Sequence, residues 1–222
     1  MKAIIFGATG MVGQGVLREC LFDPGVEAVL TVGRSPTGQQ NLKLRELVHA
    51  NLLDFSAVQS NLQGYDACFF CLGVTSTGTA GQEYERVTYG IPVAAATALL
   101  PLNPGMTFVY VSGAGADSSE KGGTRWARVK GKAENAILAM PFKASYVVRP
   151  AFIQPLHGIR SRTKIYNLMY AVFGLFGPVL KAVAPGYYTT TQQLGRVMIQ
   201  LAKSGAPKRV LESRDFPSVG TT

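Results

Sequence analysis

Three glycines stand three residues apart in "IIFGATGMVGQGVL": Gly7, Gly10 and Gly13. Bare backbone at that spacing, between a strand and a helix, suits a pyrophosphate. The first glycine permits a tight turn, the second a close approach to the phosphates, the third close contact between helix and strand. A helix beginning there turns unpaired N–H groups and its positive dipole end toward the anion. Further on, the apolar run 28–32 ends in Gly33-Arg34-Ser35. A fold that selects NAD usually ends this strand in an acid that bonds the ribose hydroxyls. Arginine and a hydroxyl suit a 2′-phosphate instead, so the expected cofactor is NADP(H), preferred over NAD(H).

These residues need elements to hold them. Ala3 to Phe6 reads as a buried strand, and Val12, Val16, Leu17, Cys20 and Leu21 share one face of the helix after it. Further strands are expected at 28–32, 44–51, 66–72, 106–112 and 145–149. Helices are expected at 124–140 and over 82–100, where Pro92 must kink or divide the helix. Strands alternating with helices predict an α/β protein: a doubly wound parallel-sheet Rossmann fold with a small C-terminal helical elaboration. The expected organisation is one domain over 1–222, with 154–191 a candidate lid or interface insertion.

The bulk numbers agree with one packed domain: 222 residues, 47% hydrophobic and 16% charged. The apolar start stops at Gly7, short of a signal-peptide core, and there are three cysteines. The expected location is therefore cytoplasmic. The net charge of +9 is uneven: residues 1–120 hold 6 Lys/Arg and 10 Asp/Glu, residues 121–222 hold 16 and 3. A basic half attracts anions. No helix-turn-helix, zinc or RNA-binding signature accompanies it, so nucleic acid is not an expected partner.

The segments "GATGMVG", "VGRS", "LLDF", "FFCLGVT", "YVSGAGAD", "WARVKGKAE" and "VVRPAFI" run in this order over residues 1 to about 155. With them the chain resembles the atypical short-chain dehydrogenases/reductases, the NAD(P)-binding, epimerase/dehydratase-like branch. Within it the chain is similar to the small oxidoreductases related to the Tat-interacting protein of 30 kDa. The resemblance implies that Gly7, Thr9, Gly10, Met11, Val12 and Gly13 wrap the pyrophosphate, and that Arg34 and Ser35 meet the 2′-phosphate. It puts Asp54 on the adenine amino group with Leu53 and Phe55 beside it, and Leu72 and Gly73 along the adenine and its ribose. It implies that Ser112 faces nicotinamide and substrate and that Lys130 bonds the nicotinamide ribose. Pro150, Ala151, Phe152 and Ile153 would touch the carboxamide through backbone groups.

One position departs from the family pattern. Its acid/base is a tyrosine four residues before the lysine, and here that place holds Trp126. An indole N–H only donates and does not titrate in the useful range. Three readings stay open: a packing residue in a weakly active protein, a contact for an apolar substrate with another acid nearby, or polarisation by Ser112 and Lys130 alone. Glu134, four residues after Lys130, is placed to hold that lysine charged, or to form an ordinary helix-surface pair with it. Tyr84 and Tyr89 are further acids that nothing in the sequence brings to the nicotinamide.

Other signals carry less. Cys68 and Cys71 lie three apart in an apolar strand, which points them to opposite faces and argues for packing, not redox chemistry. His49 and His157 lack ligand-like spacing, so no metal is expected; His157 is a pocket-rim candidate. Arg160, Arg162 and Lys164 precede an apolar, aromatic run that is too short to span a bilayer. Residues 160–181 read as a pocket lid, a homodimer interface or a peripheral membrane contact. Thr189-Thr190-Thr191 caps a helix with Leu194, Val197, Met198 and Leu201 on one face. Little chain remains for a substrate portion, which disfavours a nucleotide sugar. The expected function is an NADP(H)-dependent oxidoreductase acting on a small, fairly apolar carbonyl or alcohol. The alternative is a catalytically weak NADP(H)-binding sensor or scaffold.

Overall fold

A computed structural model describes residues 1–159 and 184–219. The chain opens with β1 (Lys2–Phe6), α1 (Met11–Phe22), β2 (Ala28–Gly33), β3 (Leu44–Val48) and a 3-10 turn over Ser56–Asn61. Then come β4 (Ala67–Phe70), α2 (Gly81–Glu85), a π turn (Arg86–Gly90), α3 (Ile91–Leu102), β5 (Thr107–Val111), α4 (Arg125–Ala139) and β6 (Ala144–Arg149). The tail holds β7 (Phe152–Gln154), β8 (Tyr188–Thr190), α5 (Thr191–Ser204), β9 (Val210–Glu212) and α6 (Phe216–Val219).

Seven strands form one sheet in the order β3-β2-β1-β4-β5-β6-β9, and each neighbouring pair is parallel. This is the expected doubly wound Rossmann sheet, with the order reversing beside β1, where such folds bind ligands. The strands are apolar on both sides because helices cover both faces. Ile4, Phe6, Cys68, Phe70 and Phe108 face one core, beneath α3 and α4. Ile5, Phe69 and Val109 face the other, with Leu17 of α1 and Leu194 and Val197 of α5. Cys68 belongs to the first core while Cys71 packs against the second. Burial pushes both thiols up, so this pair is packing, as its spacing predicts.

The expected break at Pro92 takes the form of the π turn just before it. Proline has no N–H to offer the carbonyl four residues back, on Thr88. The Tyr110 hydroxyl donates to that carbonyl instead, at 3.1 Å. At the other end of the chain, the Thr190 hydroxyl caps α5 by accepting from the Gln193 amide at 3.0 Å. The sequence pattern does not reveal β9. It is three residues long and reaches the sheet edge by pairing with β6, Val148 opposite Leu211. A second, two-stranded sheet joins β7 to β8, stacking Phe152 on Tyr188 with ring centroids 6.1 Å apart.

Helices α1 and α5 cross at contact distance because both carry glycine there. A Cβ on Gly15 would lie 2.7 Å from the Thr191 Cβ, and one on Gly195 would lie 2.9 Å from the Glu19 Cγ. Glu19 is buried and accepts from Arg196 Nε at 2.9 Å, so its charge keeps a partner.

Candidate functional site

The glycine turn joins β1 to α1 as predicted. Gly7 has φ +78°, a conformation that favours glycine, and a Cβ there would stand 2.6 Å from Leu72 Cα. A Cβ on Gly13 would lie 2.1 Å from the Gly7 carbonyl oxygen, so this position locks helix to strand. Gly10 is different. Its Cβ would meet only the Gly7 oxygen, at 3.3 Å. Internal packing therefore explains Gly7 and Gly13 more fully than Gly10. Gly10 also starts α1 with no side chain capping its first turn. Thr9, Met11 and Val12 complete the turn. Gly73 faces open space where a Cβ would touch nothing. This cradle fits a pyrophosphate.

The base-binding expectations fall around the same opening. Arg34 and Ser35 are exposed beyond β2. Arg34 lies near α2: the Glu83 carboxyl is held low chiefly by its fork with Arg86, and Arg34 adds to the effect. Asp54 is exposed, and the Ser56 amide that donates to it at 2.9 Å keeps its carboxyl below the usual range. Leu53 is 41% exposed, unusual for a leucine, and lies against Gly90 of the π turn. Phe55 stands apart: its ring is in the core, edge-on to Phe6 at 5.8 Å. As a ligand contact it offers its backbone alone, because the ring completes the core under β1.

The reaction end is built from three segments. Ser112 follows β5, and its N–H donates to the Val148 carbonyl at 2.8 Å; Ala114 donates to Pro150 at 3.0 Å. The loop then docks on α4, with Asp117 N–H donating to the Ala127 carbonyl at 3.0 Å. Gly131 makes room for that contact, since a Cβ there would sit 1.8 Å from the Asp117 oxygen. The docking brings Lys130 alongside Gly113, the residue after Ser112. Lys130 Cε would be 3.9 Å from a Cβ on Gly113. The Ser112 hydroxyl oxygen is buried and has no hydrogen-bond partner among the described residues. Such an orphan is costly in a closed core, and Thr88 Oγ1 and Ser145 Oγ share that condition. Trp126 packs its ring over Gly115, so the tyrosine's place is filled by an indole in the same neighbourhood. Pro150 is buried, Ala151 is exposed with its N–H on the Ser213 hydroxyl at 2.9 Å, and Phe152 and Ile153 are half-buried.

Glu134 does not pair with Lys130. Its carboxylate, fully buried, is gripped by Arg149 from β6: Nε to Oε1 at 3.0 Å and Nη2 to Oε2 at 2.5 Å. Arg149 also donates to the Ser118 hydroxyl at 2.6 Å and to Glu212 at 3.4 Å. A bidentate guanidinium fork is the stronger partner for a buried carboxylate. Lys130 is left over the Tyr110 ring, 5.8 Å from its centroid. Loss of water around the Lys130 ammonium draws its pKa from 10.5 down to about 8, with Glu134 working against that fall. Arg149, Ser118 and Tyr110 are the residues that the sequence motifs overlook. The available signal was an arginine ending an otherwise apolar strand.

The remaining expectations lie elsewhere. His157 lines a cleft of about 340 Å³ with Gln14, Arg18, Phe22, Gln40 and Asn41, which includes none of the predicted cofactor contacts. No group of metal-ligating side chains occurs among the described residues, and none of their helices is long and apolar enough to cross a membrane. The lid, dimer and membrane readings of 160–181 fall outside the described residues.

Residues 7–151 match the model of the NAD(P)H-binding family. The chain is 28% identical over 207 residues to "Protein FMP52, mitochondrial" of Debaryomyces hansenii, covering 91% of this chain and 88% of that protein. In fold it is similar to a short chain dehydrogenase family protein from Francisella tularensis, with TM-score 0.68, 13% identity and 95% of each chain covered. It is also similar to the UDP-glucuronic acid 4-epimerase from Bacillus cereus solved with NAD, with TM-score 0.66, 14% identity and 95% and 75% covered. The cytoplasmic expectation is corrected by the first of these, a relative named for the mitochondrion. A signal-peptide test reads only an export leader, and three buried or half-buried thiols do not separate one reducing compartment from another. The chain belongs to the NAD(P)H-binding family, and its motifs and sheet are those of an atypical short-chain dehydrogenase/reductase.

Proposed function

We propose that this protein is an NADP(H)-dependent oxidoreductase that acts on a small, fairly apolar carbonyl or alcohol. The observation that carries the reading is the end of Lys130 reaching Gly113, next in the chain to Ser112, whose hydroxyl is buried and unpartnered among the described residues. When bound, a reduced nicotinamide supplies hydride there. The Ser112 hydroxyl donates to the substrate oxygen and polarises it. The Lys130 ammonium bonds the ribose hydroxyls and adds positive charge where oxygen becomes negative. The glycine turn holds the pyrophosphate on the N-terminus of α1, and exposed Arg34 with Ser35 favours a 2′-phosphate over a plain ribose.

One observation favours a second reading. Trp126 fills the tyrosine's place and packs on Gly115, and an indole cannot pass a proton. In that reading the protein binds NADP(H) as a weakly catalytic sensor or scaffold. A homodimer or a membrane surface reached through 160–181 would then carry the signal.

Fluorescence of Trp126, the chain's single tryptophan, should be quenched by NADPH at much lower concentration than by NADH. Equal responses remove the NADP preference. Absence of binding to either, checked by calorimetry, removes the cofactor reading. A carbonyl screen on the NADPH-loaded protein then separates enzyme from sensor. In the enzyme, Ser112→Ala should lower turnover about 100-fold or more without moving the melting temperature, and Trp126→Tyr should raise it.

A further inference from the structure

The oxidoreductase reading leaves a proton unaccounted for. Reduction adds hydride to a carbonyl carbon and a proton to its oxygen. The family's tyrosine is absent, and neither Trp126 nor Arg149 gives up a proton near neutrality. Tyr110 lies beneath Lys130 and Tyr84 acts on Tyr110, but neither is an available acid. Tyr110 spends its hydroxyl on the Thr88 carbonyl and is pushed up by burial. Tyr84 is buried, with its hydroxyl pushed up for the same reason.

Lys130 is arranged differently from an ordinary structural lysine. It sits in no ion pair among the described residues, and its ammonium lies over an aromatic face. The end of its chain runs beside Gly113, the residue that follows Ser112 in sequence. The carboxylate one helical turn away is held off by Arg149, which in turn is tied to Ser118 and Glu212. This hub fastens together α4, the Ser112 loop, β6 and β9. The charged and titratable groups around Lys130 are Glu134 on its own helix and Tyr110 of β5; behind these, Arg149 of β6 holds Glu134 and Glu212 of β9, and Tyr84 of α2 acts on Tyr110. Lys132, with Glu85 and the Tyr89 ring, forms a separate pairing between α4 and the α2–π-turn segment.

We propose that Lys130 is itself the general acid of this site, and that Glu134, clamped by Arg149, is the positioning residue that sets its acid strength. The proposal rests on the oxidoreductase reading. In the step, hydride bonds to the carbonyl carbon while the C=O π pair takes a proton from the Lys130 ammonium. The N–H bond breaks, an O–H bond forms, and the neutral amine is reprotonated from water. A lysine acid must be weakened in its hold on the proton by burial, yet remain charged before the step. Burial lowers its pKa toward 8 and the field of Glu134 stops it falling further. Were Glu134 paired directly with Lys130, the ammonium would hold its proton too tightly to act.

The test reads Lys130 directly and needs no turnover. Wild type is labelled with acetic anhydride between pH 6 and 11 and the Lys130 peptide is quantified by mass spectrometry. The midpoint should lie near 8 and fall by about one unit in Glu134→Gln, the effect of removing a nearby opposite charge. If Glu134→Gln does not fold, Glu134→Gln/Arg149→Met removes both charges and should move the midpoint the same way. A second arm uses Lys130→Arg, which keeps the charge but cannot release a proton. It should still bind NADPH while losing about 100-fold or more in reduction of 9,10-phenanthrenequinone. A wild-type midpoint in the ordinary lysine range, a midpoint unmoved without Glu134, or turnover kept in Lys130→Arg overturns the proposal. Failure of the wild type to bind either nicotinamide is distinct: it removes the oxidoreductase reading before any variant is compared.

Discussion

The glycine turn and the region around Ser112 and Lys130 are built from different materials. The turn of Gly7, Gly10 and Gly13 is made of backbone, and its precision comes from absent side chains. The region around Ser112 and Lys130 is made of side chains held by other side chains, with Arg149 and Glu134 at the hub. A backbone site tolerates no added atom at Gly7 or Gly13 but needs no charge balance. A side-chain site accepts changes of shape, as Trp126 shows, but depends on each buried charge keeping its partner. The difference teaches where each kind of substitution should hurt.

The largest effect should come from the backbone site. Gly13→Ala forces a Cβ into the Gly7 carbonyl, 2.1 Å away, and neither backbone can yield without separating β1 from α1. A loss of about 5 kcal/mol or more is expected in urea unfolding. Near-wild-type stability would erase the contrast. Next is Arg149→Met, which leaves the Glu134 carboxylate buried and alone. It should cost about 3–5 kcal/mol, and adding Glu134→Gln should recover most of it. If the double variant is no better than the single, the hub is not an electrostatic pair. Arg34→Ala should be smaller and confined to binding. NADPH affinity drops about tenfold or more while NADH affinity holds, because one charge-assisted contact to phosphate is removed. A parallel loss for both cofactors would make Arg34 part of the general cradle. The smallest is Thr190→Ala on α5, which removes a cap far from either centre. It should cost about 1 kcal/mol in stability and leave the NADPH titration unchanged.

The same division explains what the sequence could reveal. Gly7 and Gly13 announce themselves because a Cβ at either would strike backbone, and the spacing survives any change in the core around them. The alternation of strands and helices was equally open, since β1, β2, β4, β5 and β6 are continuous apolar runs. The break at Pro92 was legible as a break, but not as a π turn, because its relief comes from Tyr110 on another element. Phe55 was read beside the adenine from a local motif and belongs to the core, a matter of which way one ring turns. Glu134 followed a helix-spacing rule to Lys130 and was claimed by Arg149, 15 residues on. Long-range partnerships of this kind leave no periodic trace. Strand β9 escaped for a related reason: three residues carry too little pattern, and the edge of β6 recruits them.

The close crossing of α1 and α5 has a consequence for how the chain reaches its native form. Arg196 meets Glu19 across 177 residues, and Lys203 meets Asp23 across 180. The helix that follows the glycine turn is therefore synthesised long before the helix that covers it. Contacts of such separation must be closed late and slow the search for the native state. A nascent chain carries an apolar α1 face in search of a partner until α5 emerges, which makes that face a natural client of chaperones.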